Sequence, residues 1–280
     1  WMPVDLYIGG PEHAVGHLLY ARMWNNYLYD KGLVPVAEPF KKLVHQGYIL
    51  GSNGIKMGKR YPEYVVNPSD IVRDYGADTL RLYEMFMGPL EADKPWSTQG
   101  IEGAHRWLER VWRLFIEQKD KLSDDNNGNL DYSYNYTVKK VTDDIENLRL
   151  NTAISQMMIF INDCYKEEKI YKEYALNFIQ MLSVFAPHVT NEMYEMLTGN
   201  TDLAYRTWPK ADESKLKVEE KEIAVQVNGK VRGKFTIGAD ASDDEIYEIA
   251  LKQENVIKYI DGNEIKKHFV IKGRVVNIVV

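Results

Sequence analysis

The spacing of apolar side chains divides the 280 residues into three regions. A short β-prone run, Val4 to Ile8, meets Gly9-Gly10, a pair that permits a tight strand-to-helix turn. Pro11 suits a first helical position and Glu12 a first turn, so a helix is predicted to run to about Asp30 and close at Lys31-Gly32. Strand, glycine turn and helix make the βα unit of an open α/β sheet, where ligands bind at the carboxyl ends of strands. The stretch Phe40 to Leu50 then leads into the turn signal Gly51-Ser52-Asn53-Gly54. Beyond it, Ser69 is placed to cap a short helix ending at Gly76. Asp78 is placed to cap a second, carrying Leu80, Leu82, Tyr83, Met85 and Phe86 and ended by Gly88-Pro89.

From Trp96 to about Asp212 the period is helical throughout. Ile101, Ala104, Leu108, Val111, Trp112 and Phe115 form one stripe and Val138, Val141, Ile145 and Leu148 a second. Ala153, Met157, Phe160 and Ile161 form a third, and Leu176, Ile179, Leu182 and Phe185 a fourth. A polar loop, Ser123 to Asn129, separates the first two helices, and Ala186-Pro187-His188 precedes a last helix, Val189 to Leu197. This pattern predicts an up-and-down helix bundle. From Glu219 the period becomes two. Ile223, Val225 and Val227 alternate with polar residues, Asn228-Gly229 is a hairpin turn, and Val231, Phe235 and Ile237 alternate again. Ser242-Asp243-Asp244-Glu245 reads as a capping box that opens a helix with Ile246, Ile249 and Ala250. Lys266 to Ile271 and Arg274 to Val280, joined at Lys272-Gly273, predict a second hairpin, so the end of the chain is expected to be a compact ββαββ domain.

Composition narrows the class. An apolar content of 45% is that of a globular protein, and no apolar run approaches the roughly 20 residues of a membrane span. The opening residues do not read as a signal peptide. Cys164 is the only cysteine, which excludes a disulfide framework and a thiolate zinc site and makes the cytoplasm the expected compartment. The net charge of −6 neither supports nor excludes a nucleic-acid partner, because cations need only gather on one face.

The chemistry begins at Lys56-Met57-Gly58-Lys59-Arg60. Two lysines on a short glycine-containing loop, ahead of a helix pair, make a mobile cationic clamp for phosphates. Taken alone, such a pentapeptide is more often a run of solvated loop charges. Upstream, His13 and His17 lie four apart and would share one face of a continuous helix. That spacing also occurs in zinc helices, but the His-Glu-x-x-His order and a third ligand are missing, and no metal site is expected. Near the end, Lys230, Arg232 and Lys234 alternate along one strand, which would set them on one face opposite Val231 and Phe235. Lysine on a strand also blocks edge pairing. With Lys266, Lys267, Lys272 and Arg274 on the second hairpin, a surface that tracks phosphates gains ground. Trp107, Trp112 and Tyr134 could stack bases, but at helical spacing they read as core.

The lysine loop resembles the KMSKS signature of class I aminoacyl-tRNA synthetases. The segment Trp1 to Arg22, the stretch Asn67 to Leu82 and Asn228-Gly229-Lys230-Val231-Arg232-Gly233-Lys234 are similar to the bacterial-type leucyl-tRNA synthetases. The resemblance runs over nearly the whole chain. It implies residues 1–50 as the C-terminal part of a Rossmann-like catalytic domain and 51–95 as the KMSKS-like loop with connecting helices. It further implies 96–215 as an anticodon-binding-type bundle, which leucine enzymes commonly do not use to read the anticodon, and 216–280 as a tRNA-contacting α+β domain. The implied activity is leucine–tRNA ligation: leucine and ATP, as its Mg²⁺ complex, give leucyl-adenylate, and leucine passes to tRNA(Leu). By the same resemblance Gly9, Gly10, Glu12 and His13 lie against the adenylate, His17 borders the leucine pocket, and Lys56, Met57, Gly58, Lys59 and Arg60 hold the phosphates. Lys56 and Lys59 match the motif lysines, whereas Gly58 and Arg60 stand where the motif has serines, and Tyr61-Pro62-Glu63-Tyr64 departs from the usual link. No HIGH motif is present, so the chain is expected to be the C-terminal portion of a longer, monomeric enzyme and inactive alone. A synthetase for valine, isoleucine or methionine, or a non-catalytic tRNA-binding module, stands as the alternative.

Overall fold

The computed structural model describes residues 2–216, 220–238, 241–260, 262–263, 265–271 and 274–280, with the backbone alone at 220 and 221. The chain divides into two compact units, Trp1–Ala211 and Asp212–Val280.

In the first unit, strand β1 (Tyr7–Gly9) pairs in parallel with β2 (Leu43–His45), Tyr7 opposite Leu43 and Gly9 opposite His45. Their crossover holds two helices where the periodicity predicts one. Helix α1 (Glu12–Val15) stops at Gly16, whose φ of −103° and ψ of −110° lie outside the helical region, and α2 (His17–Asp30) starts anew. His13 and His17 therefore belong to different helices and do not share a face as an i, i+4 pair. Strand β3 (Ile49–Leu50) pairs in parallel with β4 (Lys94–Pro95). Between these lie helices α3 (Pro68–Tyr75) and α4 (Ala77–Phe86).

The caps of α3 and α4 differ from expectation. Asn67, not Ser69, caps α3: its side-chain oxygen accepts the Ser69 N–H at 3.0 Å, with Pro68 in the first helical position. Gly76, not Asp78, precedes α4. The Asp78 carboxylate turns away and caps a helix more than a hundred residues downstream.

That helix belongs to the bundle: α5 (Thr98–Trp112), α6 (Asp131–Glu146), α7 (Leu150–Lys166), α8 (Lys172–Leu182) and α9 (Pro187–Thr198). A wide turn, Arg113–Glu117, continues α5, and a short parallel pair, β5 (Leu122–Ser123) with β6 (Ile170–Tyr171), ties the loop after it to the chain ahead of α8. The predicted stripes supply much of the core: Ile101, Val111, Phe115, Val141, Phe160, Ile179 and Leu182 are fully buried. Trp107 and Tyr134 are core as well, and burial pushes the Tyr134 hydroxyl up to about 12. Between α6 and α7 the buried Asp144 carboxylate accepts from Lys140, from Arg149 Nε at 2.8 Å and from Thr152 Oγ1 at 2.7 Å. Burial raises its pKa, but these donors outweigh burial and hold it below the usual range.

Asp78 accepts the Val189 N–H at 2.7 Å and the His188 N–H at 3.3 Å, and pairs with His188 Nδ1 at 2.7 Å. One turn further along α4, Arg81 donates from Nε to Phe185 O and from Nη2 to Val184 O, both at 3.1 Å. Helix α4 thus holds the whole α8–α9 corner.

The second unit is a four-stranded sheet in the order β8-β7-β10-β9, from β7 (Glu220–Val227), β8 (Lys230–Gly238), β9 (Lys267–Ile271) and β10 (Val275–Val279). Strand β10 runs parallel to β7 and antiparallel to β9. Two helices, α10 (Asp243–Leu251) and α11 (Glu254–Ile260), replace the single predicted one. The Ser242–Glu245 capping box opens α10 as expected. Ile223, Val225, Val276 and Ile278 pack with Ile246, Ala250 and Val256 in a core of their own.

Replacing Asp78 by alanine strips α9 of its cap and leaves a buried corner unpaired, so it should destabilise the chain by about 2 kcal/mol. Asp78→Asn, which keeps an acceptor, should cost less than half of that. Denaturant melts of the two variants check the order; equal losses would mean that the corner is held elsewhere.

Candidate functional site

The glycine turn and the lysine loop face each other across one tyrosine. Gly9 and Gly10 are buried because the side chains that follow fold back over them. A Cβ on Gly9 would stand 2.7 Å from His13 Nδ1, and one on Gly10 would stand 2.5 Å from Glu12 Oε2. The turn is thus covered by its own first helical side chains, with Glu12 and His13 themselves exposed. His17 lies elsewhere: its Nδ1 shares a 2.9 Å hydrogen bond with the Tyr7 hydroxyl, and its ring stacks on Tyr7 at 5.6 Å.

The lysine loop hangs from a narrow turn. Gly51 donates to Ile55 O at 2.9 Å, Leu50 bridges Lys56, and Gly54 takes a φ of +75°, which a side-chain residue rarely adopts. Met57 faces inward, packs against the main core and accepts the Val66 N–H at its sulfur, 3.4 Å away. Lys56, Gly58, Lys59 and Arg60 are exposed on either side of this anchor. An added Cβ on Gly58 would meet nothing within 4 Å, so the glycine in the serine position is not required by packing.

Tyr48, which the sequence reading passed over, joins these parts. Its hydroxyl donates to Glu12 Oε2 at 2.6 Å, and the Lys56 ammonium sits 3.9 Å from the centre of its ring. The Glu12 carboxyl is held below its ordinary range by the Tyr48 hydrogen bond first, then by its own backbone N–H, against slight burial and with help from Lys56 and His13. No periodicity or motif marks Tyr48, because its role depends on two segments that meet only in the fold. Of the predicted adenylate residues, the structure gathers Gly9, Gly10, Glu12, His13 and Lys56; Lys59 and Arg60 lie on the free side of the loop.

The seat of Tyr48 is rigid. Its N–H donates to Asp93 Oδ1 at 2.6 Å and its carbonyl accepts the Lys94 N–H at 2.9 Å. Gly47 makes this possible, since a Cβ there would stand 2.2 Å from the Ala92 carbonyl oxygen. A separate cleft of about 560 Å³, between Tyr75, Trp112 and His188, contains none of the predicted site residues.

The C-terminal cations do not form the row expected of them. Between Val225 and Gln226 the register of β7 and β8 shifts: Val225 faces Gly233, Gln226 faces Val231, and Arg232 is the extra residue of a bulge. A bulge interrupts the alternation on which a shared face rests. Arg232 lies half-buried with its guanidinium 3.7 Å from the centre of the Tyr259 ring on α11, whereas Val231 is 53% exposed. Lys234 stands on the face away from the helices and pairs with Glu222 at 2.9 Å. Lys230, Lys266, Lys267 and Arg274 are exposed; Lys272 falls outside the described residues. On β9, Lys267, Phe269 and Ile271 share the helix-free face, opposite Val279, Asn277 and Val275, and the last two of the three are more than half exposed. Among the described residues no group of three His, Cys, Asp or Glu side chains could hold a metal, and no helix is long and apolar enough to cross a membrane.

Residues 2–97 match the tRNA synthetases class I (I, L, M and V), and residues 129–248 match the anticodon-binding domain of tRNA ligase. A leucyl-tRNA synthetase (LeuRS) of Agrobacterium radiobacter K84, solved as a ternary complex with tRNA and LeuAMS, is similar over 99% of this chain at 29% identity and a TM-score of 0.78. The chain spans 38% of the length of that protein. A methionyl-tRNA synthetase of Mycobacterium tuberculosis bound by methionyl-adenylate is similar over 69% of this chain and 44% of its own, at 12% identity and a TM-score of 0.51, which reflects the fold alone.

The two loop glycines should respond oppositely to substitution. Gly47→Ala forces Cβ against a backbone carbonyl and should cost about 1–3 kcal/mol, whereas Gly58→Ser should stay within about 0.5 kcal/mol of the parent. Thermal melts of both variants decide; a harmless Gly47→Ala would show that the Ala92 segment is free to move aside.

Proposed function

We propose that the chain is part of a class I tRNA synthetase and that it supplies the lysine loop and the tRNA-contacting parts of a leucine–tRNA ligase, a reading supported by the two family matches and the likeness to the leucyl enzyme. The observation that carries the proposal is the convergence of Lys56, Glu12 and the Gly9-Gly10 turn on Tyr48, with Lys59 and Arg60 exposed beyond it. In adenylation the leucine carboxylate attacks the α-phosphorus of ATP in line and pyrophosphate leaves. Negative charge grows on the leaving group, so ammonium groups placed beforehand, together with the Mg²⁺ carried by ATP, lower the barrier without any proton transfer. Lys56 and Lys59 are the residues for that work. Glu12 and His13, folded over the glycines, line the side where adenosine is read, and His17, fixed by Tyr7, borders the leucine side chain. Leucine over valine, isoleucine or methionine is supported by the likeness to the Agrobacterium enzyme along nearly the whole chain, the Asn228–Lys234 hairpin included. Its partner is tRNA(Leu), met by the bundle and by the exposed cations Lys230, Lys234, Lys266, Lys267 and Arg274. Lys272, which the sequence reading places in the same set, has no described structure to add. The enzyme works in the cytoplasm as a monomer, and the activity belongs to the intact synthetase rather than to these residues alone.

In the intact synthetase, Lys59→Ala should lower leucine-dependent ATP–pyrophosphate exchange by on the order of 2–4 kcal/mol of transition-state stabilisation, with little change in leucine binding. Normal turnover with only a raised leucine constant would contradict the role, and exchange driven by valine, isoleucine or methionine in place of leucine would move the enzyme to a sister specificity.

The bulge separates the C-terminal cations in a second experiment. Alanine at Lys230, Lys267 or Arg274 should each reduce the salt slope of tRNA binding by about one unit. Arg232→Ala should instead lower the melting temperature and leave that slope in place. A slope that falls with Arg232 as with the others would mean that its guanidinium leaves Tyr259 to meet RNA.

A further inference from the structure

We propose that Tyr48 is a positioning residue for the first lysine of the loop: its fixed ring holds the Lys56 ammonium beside the glycine turn before ATP arrives. The proposal rests on the adenylation reading above and extends it to a residue outside the lysine signature and the glycine turn.

Three observations carry it. The ammonium is 3.9 Å from the ring centre, a distance at which the negative face of a tyrosine attracts a cation. The other end of the same side chain is tied to Glu12 by the 2.6 Å hydrogen bond from its hydroxyl. The backbone beneath is held on both sides, by Asp93 through the N–H and by Lys94 through the carbonyl, in a position that Gly47 alone permits. Glu12 and Lys56 are both exposed, one on a four-residue helix and one beside the narrow Gly51–Ile55 turn. Tyr48 is the fixed post between them.

The consequence is a pre-formed site. A lysine free on a mobile loop must lose rotamer and loop freedom when it engages the polyphosphate, and a seat beside the nucleotide removes part of that loss in advance. The ring attracts the cation without neutralising it, so the charge stays available for pyrophosphate. Tyr48 touches none of the reacting atoms and acts only through the lysine.

The test is a double-mutant cycle on ATP–pyrophosphate exchange by the intact synthetase. Tyr48→Leu removes both ring and hydroxyl and should reduce the exchange rate on the order of fivefold. Tyr48→Phe keeps the ring and should stay within about twofold of the parent. In a Lys56→Ala background Tyr48→Leu should have no further effect, because the group it positions is gone. A Tyr48→Leu loss of the same size with and without Lys56, or a Tyr48→Phe variant as impaired as Tyr48→Leu, overturns the assignment. Parent-like exchange by Lys56→Ala overturns the adenylation reading itself, which keeps the two failures distinct. Should Tyr48→Leu melt early, trypsin cleavage after Lys56 in folded Tyr48→Phe and Tyr48→Trp decides: protection as in the parent supports the seat, and faster cleavage of both refutes it.

Discussion

The first unit depends on a carboxylate that serves a helix other than its own. Asp78 sits in the first turn of α4, where a negative charge is favourable, yet its oxygens accept from the first N–H groups of α9. Those N–H groups have no partner within α9, and the carboxylate supplies it. With Arg81 binding the carbonyls of Val184 and Phe185, one face of α4 holds both the link after α8 and the start of α9. A helix fixed at four backbone groups of its neighbours cannot shift by a fraction of a turn without breaking several hydrogen bonds together. The position of α4 is therefore set by the bundle.

What α4 fixes is passed on to the lysine loop. After Phe86 the chain turns back, and residues 90–94 meet the Gly47–Tyr48 segment through Gly47 N–H to Leu90 O, Tyr48 N–H to Asp93 and Lys94 N–H to Tyr48 O. Strand β3 continues from there into the Gly51–Lys56 turn. The loop is thus fixed at its base and exposed at its tip. Such a division suits a phosphate clamp, which must follow a moving charge from a defined origin.

The regular elements were legible in the sequence because their periods are local. Helical stripes such as Ile101 to Phe115, the alternation of Ile223, Val225 and Val227, the Asn228-Gly229 turn and the Ser242–Glu245 box each specify their structure within a few residues. Three of the departures show what a local pattern misses. Asp78 looks like a cap for the helix it opens, but Gly76 leaves that helix start to the backbone and frees the carboxylate for α9. The break at Gly16 is invisible to a pattern that stays apolar on both sides, so His13 and His17 were placed on one face that does not exist. The bulge at Arg232 arises from pairing with β7, and a residue count along one strand cannot register it. The candidate site was half visible: the glycines and lysines by type and spacing, Tyr48 not at all.

The charge distribution explains how a chain of net charge −6 can still present a cationic surface to an anion. Many of its acids are engaged within the protein. Asp78 caps α9, Asp144 gathers Lys140, Arg149 and Thr152, and Glu245 closes the capping box of α10. Asp70 and Asp74 both pair with Arg73, and Glu38 with Arg22. A carboxylate with a positive or N–H partner a few ångströms away projects little field beyond a Debye length of about 8 Å at physiological salt. By contrast, Lys56 and Lys59 stand on an exposed loop, with Lys56 seated on a ring that leaves its charge intact. An incoming polyphosphate meets the near field of those lysines before the net charge of the chain, because screening weights the closest charges most. Local arrangement, rather than overall sign, decides whether such a protein can hold an anion, and here the loop lysines stand outside the internal pairs that engage many of the acids.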